Sequence, residues 1–216
     1  MIDFQWQPVG SKLTRHTSMQ SSFPTSRVSE ENLPYSQYLA AWLEAKMVTS
    51  SLTRPTEGTL SFLLEALQLT FDKQGDPQTV YPLIVENVDL LEPHLIYILR
   101  KWAKQTFPYI YENKAVIIAG VLVNFGRIIW ALPDGDPDIN LEIALACCEL
   151  ALEVYNLDDF PYQWAILHNN IAVIYRNRCY GSSANNLIKS FEHYQQANFV
   201  FPGQKFPTKW TDLTGY

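Results

Sequence analysis

The chain is poor in charge. Charged side chains make up 18% of its 216 residues, below the roughly 25% of an ordinary globular protein. The net charge is −6 and no run of Lys or Arg occurs. No electrostatic footprint for a phosphate backbone is present, so nucleic acid is not an expected partner. Long apolar runs are missing as well. The longest, Ala115 to Val123, has nine residues, whereas a bilayer-spanning helix needs about 20. The N-terminus carries Asp3 and no apolar core segment, so it does not read as a signal peptide. These absences predict a cytoplasmic chain without a membrane partner. Cysteine is scarce: Cys147, Cys148 and Cys179 are odd in number and lack CxxC spacing. Neither a disulfide framework nor a zinc knuckle fits that set. Four scattered histidines predict no metal site. Gly120, Gly126 and Gly135 do not form a phosphate loop, and no cofactor is expected. Strict apolar–polar alternation, the mark of strands, is also absent.

What the chain does have is apolar content, internal repetition and helical periodicity. Hydrophobic residues reach 47% and aromatics 13%, enough to exclude disorder throughout. The aromatics read as an aromatic-rich core or as an apolar surface for a partner. Phe160-Pro161-Tyr162-Gln163-Trp164 returns 46 residues later as Phe206-Pro207-Thr208-Lys209-Trp210. At the same spacing Asn124-Phe125-Gly126 returns as Asn170-Ile171-Ala172, Asn140-Leu141 as Asn186-Leu187, Ala151 as Ala197 and Val154 as Val200. A fixed period of this size means similar units, each burying its apolar face against its neighbours.

Residues 1–34 are rich in Ser, Thr, Gln and Pro and read as a flexible tail. Residues 35–108 read as a helical N-terminal subdomain. Helices are expected over about 36–49, 57–73 (Leu60, Leu63, Leu64, Leu67 and Phe71 inward) and 89–106 (Leu95, Ile98, Leu99 and Trp102 inward). Asp76-Pro77 supplies an N-cap and a first-turn proline, and Pro82 predicts that the following helix is short and interrupted. Residues 109–216 are the repeat region, with units over 109–156 and 157–202 and the opening of a third over 203–216. Helices over 115–131, 139–156, 161–178 and 185–200 are joined by Pro133–Pro137 and Gly181–Ser183 turns. In the last of these, Leu187, Phe191, Tyr194, Ala197 and Val200 form the expected inward face. Asp134, Asp136 and Asp138 alternate like a calcium loop but lack the remaining ligands, so capping of the next helix is the better reading.

Asn170-Ile171-Ala172, Tyr175, Ser190, Tyr194, Ala197 and Pro202 resemble the tetratricopeptide repeat signature. The preceding unit agrees at Asn124, Phe125, Gly126, Ala144 and Ala151 and departs at Ile129, Cys148 and Asn156. The ordinary repeat has 34 residues. Phe160-Pro161, Trp164-Ala165, Asn169-Asn170, Arg178, Gly181 and Asn186-Leu187 are similar to a long-period bacterial form, often found ahead of a caspase-like CHAT peptidase domain. The segment 57–106 more weakly resembles the helical segment that leads such arrays. The resemblance implies an all-α fold, a right-handed α-solenoid of antiparallel helix pairs. It implies no catalytic residue here, because no peptidase His and Cys can be placed.

In such arrays the first helix of each pair lines a concave groove. The matching positions are Asn124 and Asn170, with Arg127, Asn169, Val173, Arg176 and Asn177 on the same faces. An amide offers both a donor and an acceptor to a peptide main chain, and an Arg can hold a carboxylate bidentately. The same asparagines could equally satisfy backbone groups between units. The expected function is a non-catalytic protein-interaction module, a scaffold or adaptor that captures a peptide or helix. A regulatory partner of a separately encoded CHAT-type peptidase is the alternative. A thiol hydrolase built on His168 with Cys179, or His193 with Cys147, is a third, but nothing like an oxyanion loop flanks those residues. Because the third unit is incomplete, the C-terminal end is expected to self-associate or fold back, with Phe199, Phe201, Phe206 and Trp210 partly exposed.

Overall fold

The computed structural model describes residues 54–200 and Pro202. The tail over 1–34, the helix expected over 36–49 and the segment 203–216 lie outside the described residues. Among the described residues the fold is all-helical, with seven α-helices: α1 (Arg54–Asp72), α2 (Pro77–Glu86), α3 (Pro93–Thr106), α4 (Glu112–Trp130), α5 (Pro137–Leu152), α6 (Pro161–Asn177) and α7 (Ser183–Val200). Short 3-10 turns at Val88–Leu90 and Phe107–Tyr109 precede α3 and α4. The chain divides into two compact units between Val154 and Tyr155.

The first unit joins the N-terminal subdomain to the first repeat pair. Its core combines Leu63, Leu67, Val80, Ile84, Leu95, Leu99, Leu122, Phe125, Ile143 and Cys147, contributed by α1 to α5. In α1 the inward residues recur at helical spacing, and Leu64 and Phe71 only flank the core. Gln74 and Gly75 then reverse the chain with φ of 52° and 74°. Gly75 is required twice over. Its left-handed backbone disfavours a side chain, and a Cβ there would lie 2.9 Å from Asn124 Cγ. Asp76 caps α2 by accepting from Gln78 N at 3.2 Å. The helix runs four residues past Pro82. A proline removes one donor and crowds the carbonyl four residues back; that carbonyl belongs to exposed Gln78, while buried Val80 and Ile84 hold the segment to the core. The 89–106 segment is broken at Glu92-Pro93, where the proline takes the first helical position of α3.

α4 is long and apolar enough by composition to cross a membrane, but most of it is buried inside the fold. It pairs with α5 by close approach at Gly126, where a Cβ would come within 2.9 Å of Cys147 Cβ. Asp136 caps α5 by accepting from Asp138 N at 2.9 Å, the capping role read for this acidic turn. α5 ends at Leu152, four residues short of the expected limit, in a turn closed by Glu153 N to Leu150 O and Val154 N to Ala151 O.

The second unit is the antiparallel pair α6 and α7. Its entry turn is tied by Asn156, whose Oδ1 accepts from the Asp159 backbone N–H at 2.8 Å and whose Nδ2 donates to Asp159 Oδ2 at 2.9 Å. Pro161 opens α6. The 46-residue period survives as geometry within each unit. Gly135 and Gly181 both take positive φ, 82° and 83°. Asn140 donates to Asp134 O at 3.0 Å, and Asn186 donates to Tyr180 O at 2.9 Å and Arg178 O at 3.1 Å. Each amide thereby holds the turn that precedes its helix. Ser190 Oγ donates to Ala172 O at 2.7 Å, joining α7 to α6; Ala172 is the small residue standing where the first pair has Gly126.

Candidate functional site

The expected groove residues fall into two groups. On α4, Asn124 and Arg127 are half-buried and face the turn between α1 and α2. The Asn124 amide packs against Gly75, and Arg127 donates from Nη2 to the Gly75 carbonyl. Arg127 also influences Tyr81 on α2: burial pushes that phenol up and the guanidinium charge draws it partly back. Within the first unit both side chains therefore act on the N-terminal subdomain's own main chain.

On α6, Asn169, Asn170 and Val173 are buried, Arg176 is half-buried and Asn177 is exposed. Asn177 spends its donor on Val173 O, 2.8 Å away along its own helix. Arg176 sits close enough to Tyr194 to offset part of the upward push that burial gives that phenol. Asn170 is 1% exposed, yet its Oδ1 and Nδ2 find no partner within the described residues, and neither does Asn169 Oδ1. A buried unpaired amide costs roughly 1–3 kcal/mol. Three such atoms on adjacent residues are therefore the least satisfied polar group among the described residues of the second unit.

A feature that sequence spacing did not flag lies between α6 and α7. His168 and His193, 25 residues apart, bring their Nδ1 atoms to 3.0 Å. Trp164, one turn before His168, tilts over it with ring centroids 4.1 Å apart. Tyr175 stacks on His193 at 5.7 Å. The Arg178 guanidinium and Lys189 Nζ stand 5.6 and 5.0 Å from the Tyr175 ring centre, within cation–π range. Burial, helped by the neighbouring imidazole, pushes His168 down to about 4. The only sequence signal is indirect: one period earlier these slots hold Leu122 and Cys147, so both imidazoles replace apolar core residues.

The thiols divide sharply. Burial pushes Cys147 up to about 12 and holds Cys148 well above its ordinary value, whereas Cys179 is exposed and rests its Sγ 3.9 Å from Asn177 O.

The outer face of α7 departs from expectation. Tyr194 and Ala197 are buried as read, but Leu187 and Phe191 are 48% and 50% exposed, beside Ile188 at 56% and Phe199 at 72%. Their counterparts one period earlier, Leu141 and Leu145, are 7% and 4% exposed. Helical periodicity shows that a stripe is apolar; it does not show whether anything covers it. In comparisons with known proteins, no family model matches the chain, and neither the curated proteins nor the solved structures give a match.

Proposed function

We propose that this chain is a non-catalytic, all-helical protein-interaction module that binds a peptide or helix of another protein. The observation that carries this reading is the outer face of α7. Leu187, Ile188 and Phe191 stand about half exposed within two turns. Covering apolar surface is worth roughly 25 cal/mol per Å², and contiguous exposed apolar stripes mark interaction surfaces. An amphipathic helix of a partner, laid along this face, has the matching chemistry.

Further support comes from α6. Asn169 and Asn170 hold unpaired donor and acceptor atoms beneath the surface, which a partner's main chain would complement only once the α6 face opened to it. The 46-residue period, with its matched glycine turns and asparagine clamps, favours a right-handed α-solenoid of the tetratricopeptide kind as the scaffold. The protonated, enclosed thiol of Cys147 counts against a nucleophile built on His193 with Cys147, since the thiolate is the nucleophile.

Capture from a lysate of the source cells tests the reading with three proteins: wild type, Leu187→Asp/Phe191→Asp, and Asn124→Ala/Asn170→Ala. Circular dichroism melts first establish that each is folded. A partner held by wild type and by the asparagine variant but lost by the aspartate variant locates the site on α7. Loss with the asparagine variant alone moves it to the α4 and α6 faces. Equal retention by all three contradicts both placements.

A further inference from the structure

The geometry points to a two-histidine metal site at His168 and His193, taking a divalent transition ion of the Cu(II) or Ni(II) kind. Two imidazole nitrogens, each about 2.0–2.1 Å from one ion and 3.0 Å from each other, subtend close to a right angle at that ion. A right angle is the cis edge of a square plane or an octahedron, which Cu(II) and Ni(II) adopt; a tetrahedral zinc ion needs a wider separation.

Three features make this more than a chance encounter of rings. First, the repeat supplies its own control. The same slots in the first pair hold Leu122 and Cys147, both fully buried, so the helix-pair scaffold packs there without any polar group. Second, the second unit keeps the slot open: both imidazoles are only half-buried, so an ion has access. Third, Trp164 lies against His168 and Tyr175 against His193, ring contacts that restrict how far either imidazole can turn.

Without an ion, one imidazole donates Nδ1–H to the other. Binding requires both Nδ1 lone pairs, so the shared proton shifts to Nε2 of its own ring and no net proton is released from the neutral pair. Among the described residues no third His, Cys, Asp or Glu joins the two. Water or a side chain of a bound partner completes the coordination, and the affinity is lower than that of a closed four-ligand site.

The test is a titration of the full chain with CuCl2 against a glycine competitor, followed by visible absorption and electron paramagnetic resonance. The expected result is one ion per chain with hyperfine structure from two imidazole nitrogens. His168→Gln and His193→Gln each weaken binding at least tenfold, while His94→Gln and His16→Gln leave it unchanged. Should either variant fail to fold, the wild-type hyperfine pattern decides. Two equivalent nitrogens support the site; one or none overturns it, as does equal binding by folded His168→Gln.

Discussion

The two repeat pairs, α4 with α5 and α6 with α7, share one set of local rules and end in opposite states. Both place a positive-φ glycine in the turn, at Gly135 and Gly181. Both clamp that turn with an asparagine amide, from Asn140 and Asn186. Both put a small residue at the helix crossing, Gly126 or Ala172. Yet the first pair is closed: Leu122, Cys147, Leu141 and Leu145 are all buried. The second is open. Two imidazoles replace the leucine and the thiol, and Leu187 and Phe191 face solvent. The turn and crossing residues set the scaffold; the slots between them carry apolar packing in one copy and a pair of imidazoles in the other.

Matched substitutions break this comparison most forcefully at the outer stripes. Leu141→Asp with Leu145→Asp buries two unpaired carboxylates and should cost more than about 3 kcal/mol, abolishing cooperative unfolding. Leu187→Asp with Phe191→Asp should change stability by less than about 1 kcal/mol, as exposed substitutions do. Denaturant melts of the two double variants read the difference directly; equal losses would mean that the α7 stripe is structural.

Exchange of the inner slot comes next. Leu122→His places an imidazole in a fully enclosed site and should cost roughly 3 kcal/mol, through lost packing and a buried polar group. His168→Leu in the open slot should stay within about 1 kcal/mol of wild type.

The crossing itself gives a smaller effect. Gly126→Ala drives a Cβ to 2.9 Å from Cys147 Cβ and should cost about 1–3 kcal/mol by overpacking. Ala172→Gly, the reverse change at the matched position, should cost about 1 kcal/mol from helix propensity alone.

The smallest difference at ordinary pH is in alkaline stability. Burial raises Cys147 from 9.0 to about 12 and Tyr155 from 10.0 to about 12. A raised folded-state pKa keeps its full contribution below the unfolded value and loses it as pH rises toward the folded one. The first unit, carrying the thiols, should therefore begin to weaken near pH 9, and the second, through Tyr155, nearer pH 10. Melts from pH 7 to 11, repeated with Cys147→Ala, check whether the earlier loss belongs to the thiol.

The helices were legible because apolar residues recur at helical spacing and because Asp76, Asp136, Pro77 and Pro161 mark their starts. The break at Glu92-Pro93 and the early end of α5 at Leu152 were missed. There, a first-turn proline and a local turn overrode an apolar pattern that ran on past them. The candidate site was less legible. Asn124 and Arg127 could be placed on a helix face, but not beside Gly75, because that approach depends on two left-handed residues 50 positions upstream. The His168–His193 contact has no local pattern; only comparison with Leu122 and Cys147 one period earlier marks it. Leu187 and Phe191 read as core because periodicity is blind to what covers a stripe.

The account rests most directly on the outer face of α7 being a working surface. A photo-crosslinking residue placed at Ile188 or Phe191, and for comparison at Tyr97, which is also exposed but lies on the first unit, tests this in a lysate of the source cells. Adducts to one protein from positions 188 and 191, absent at 97, are the predicted result. No adduct at 188 and 191, or the same adducts at all three positions, would contradict it.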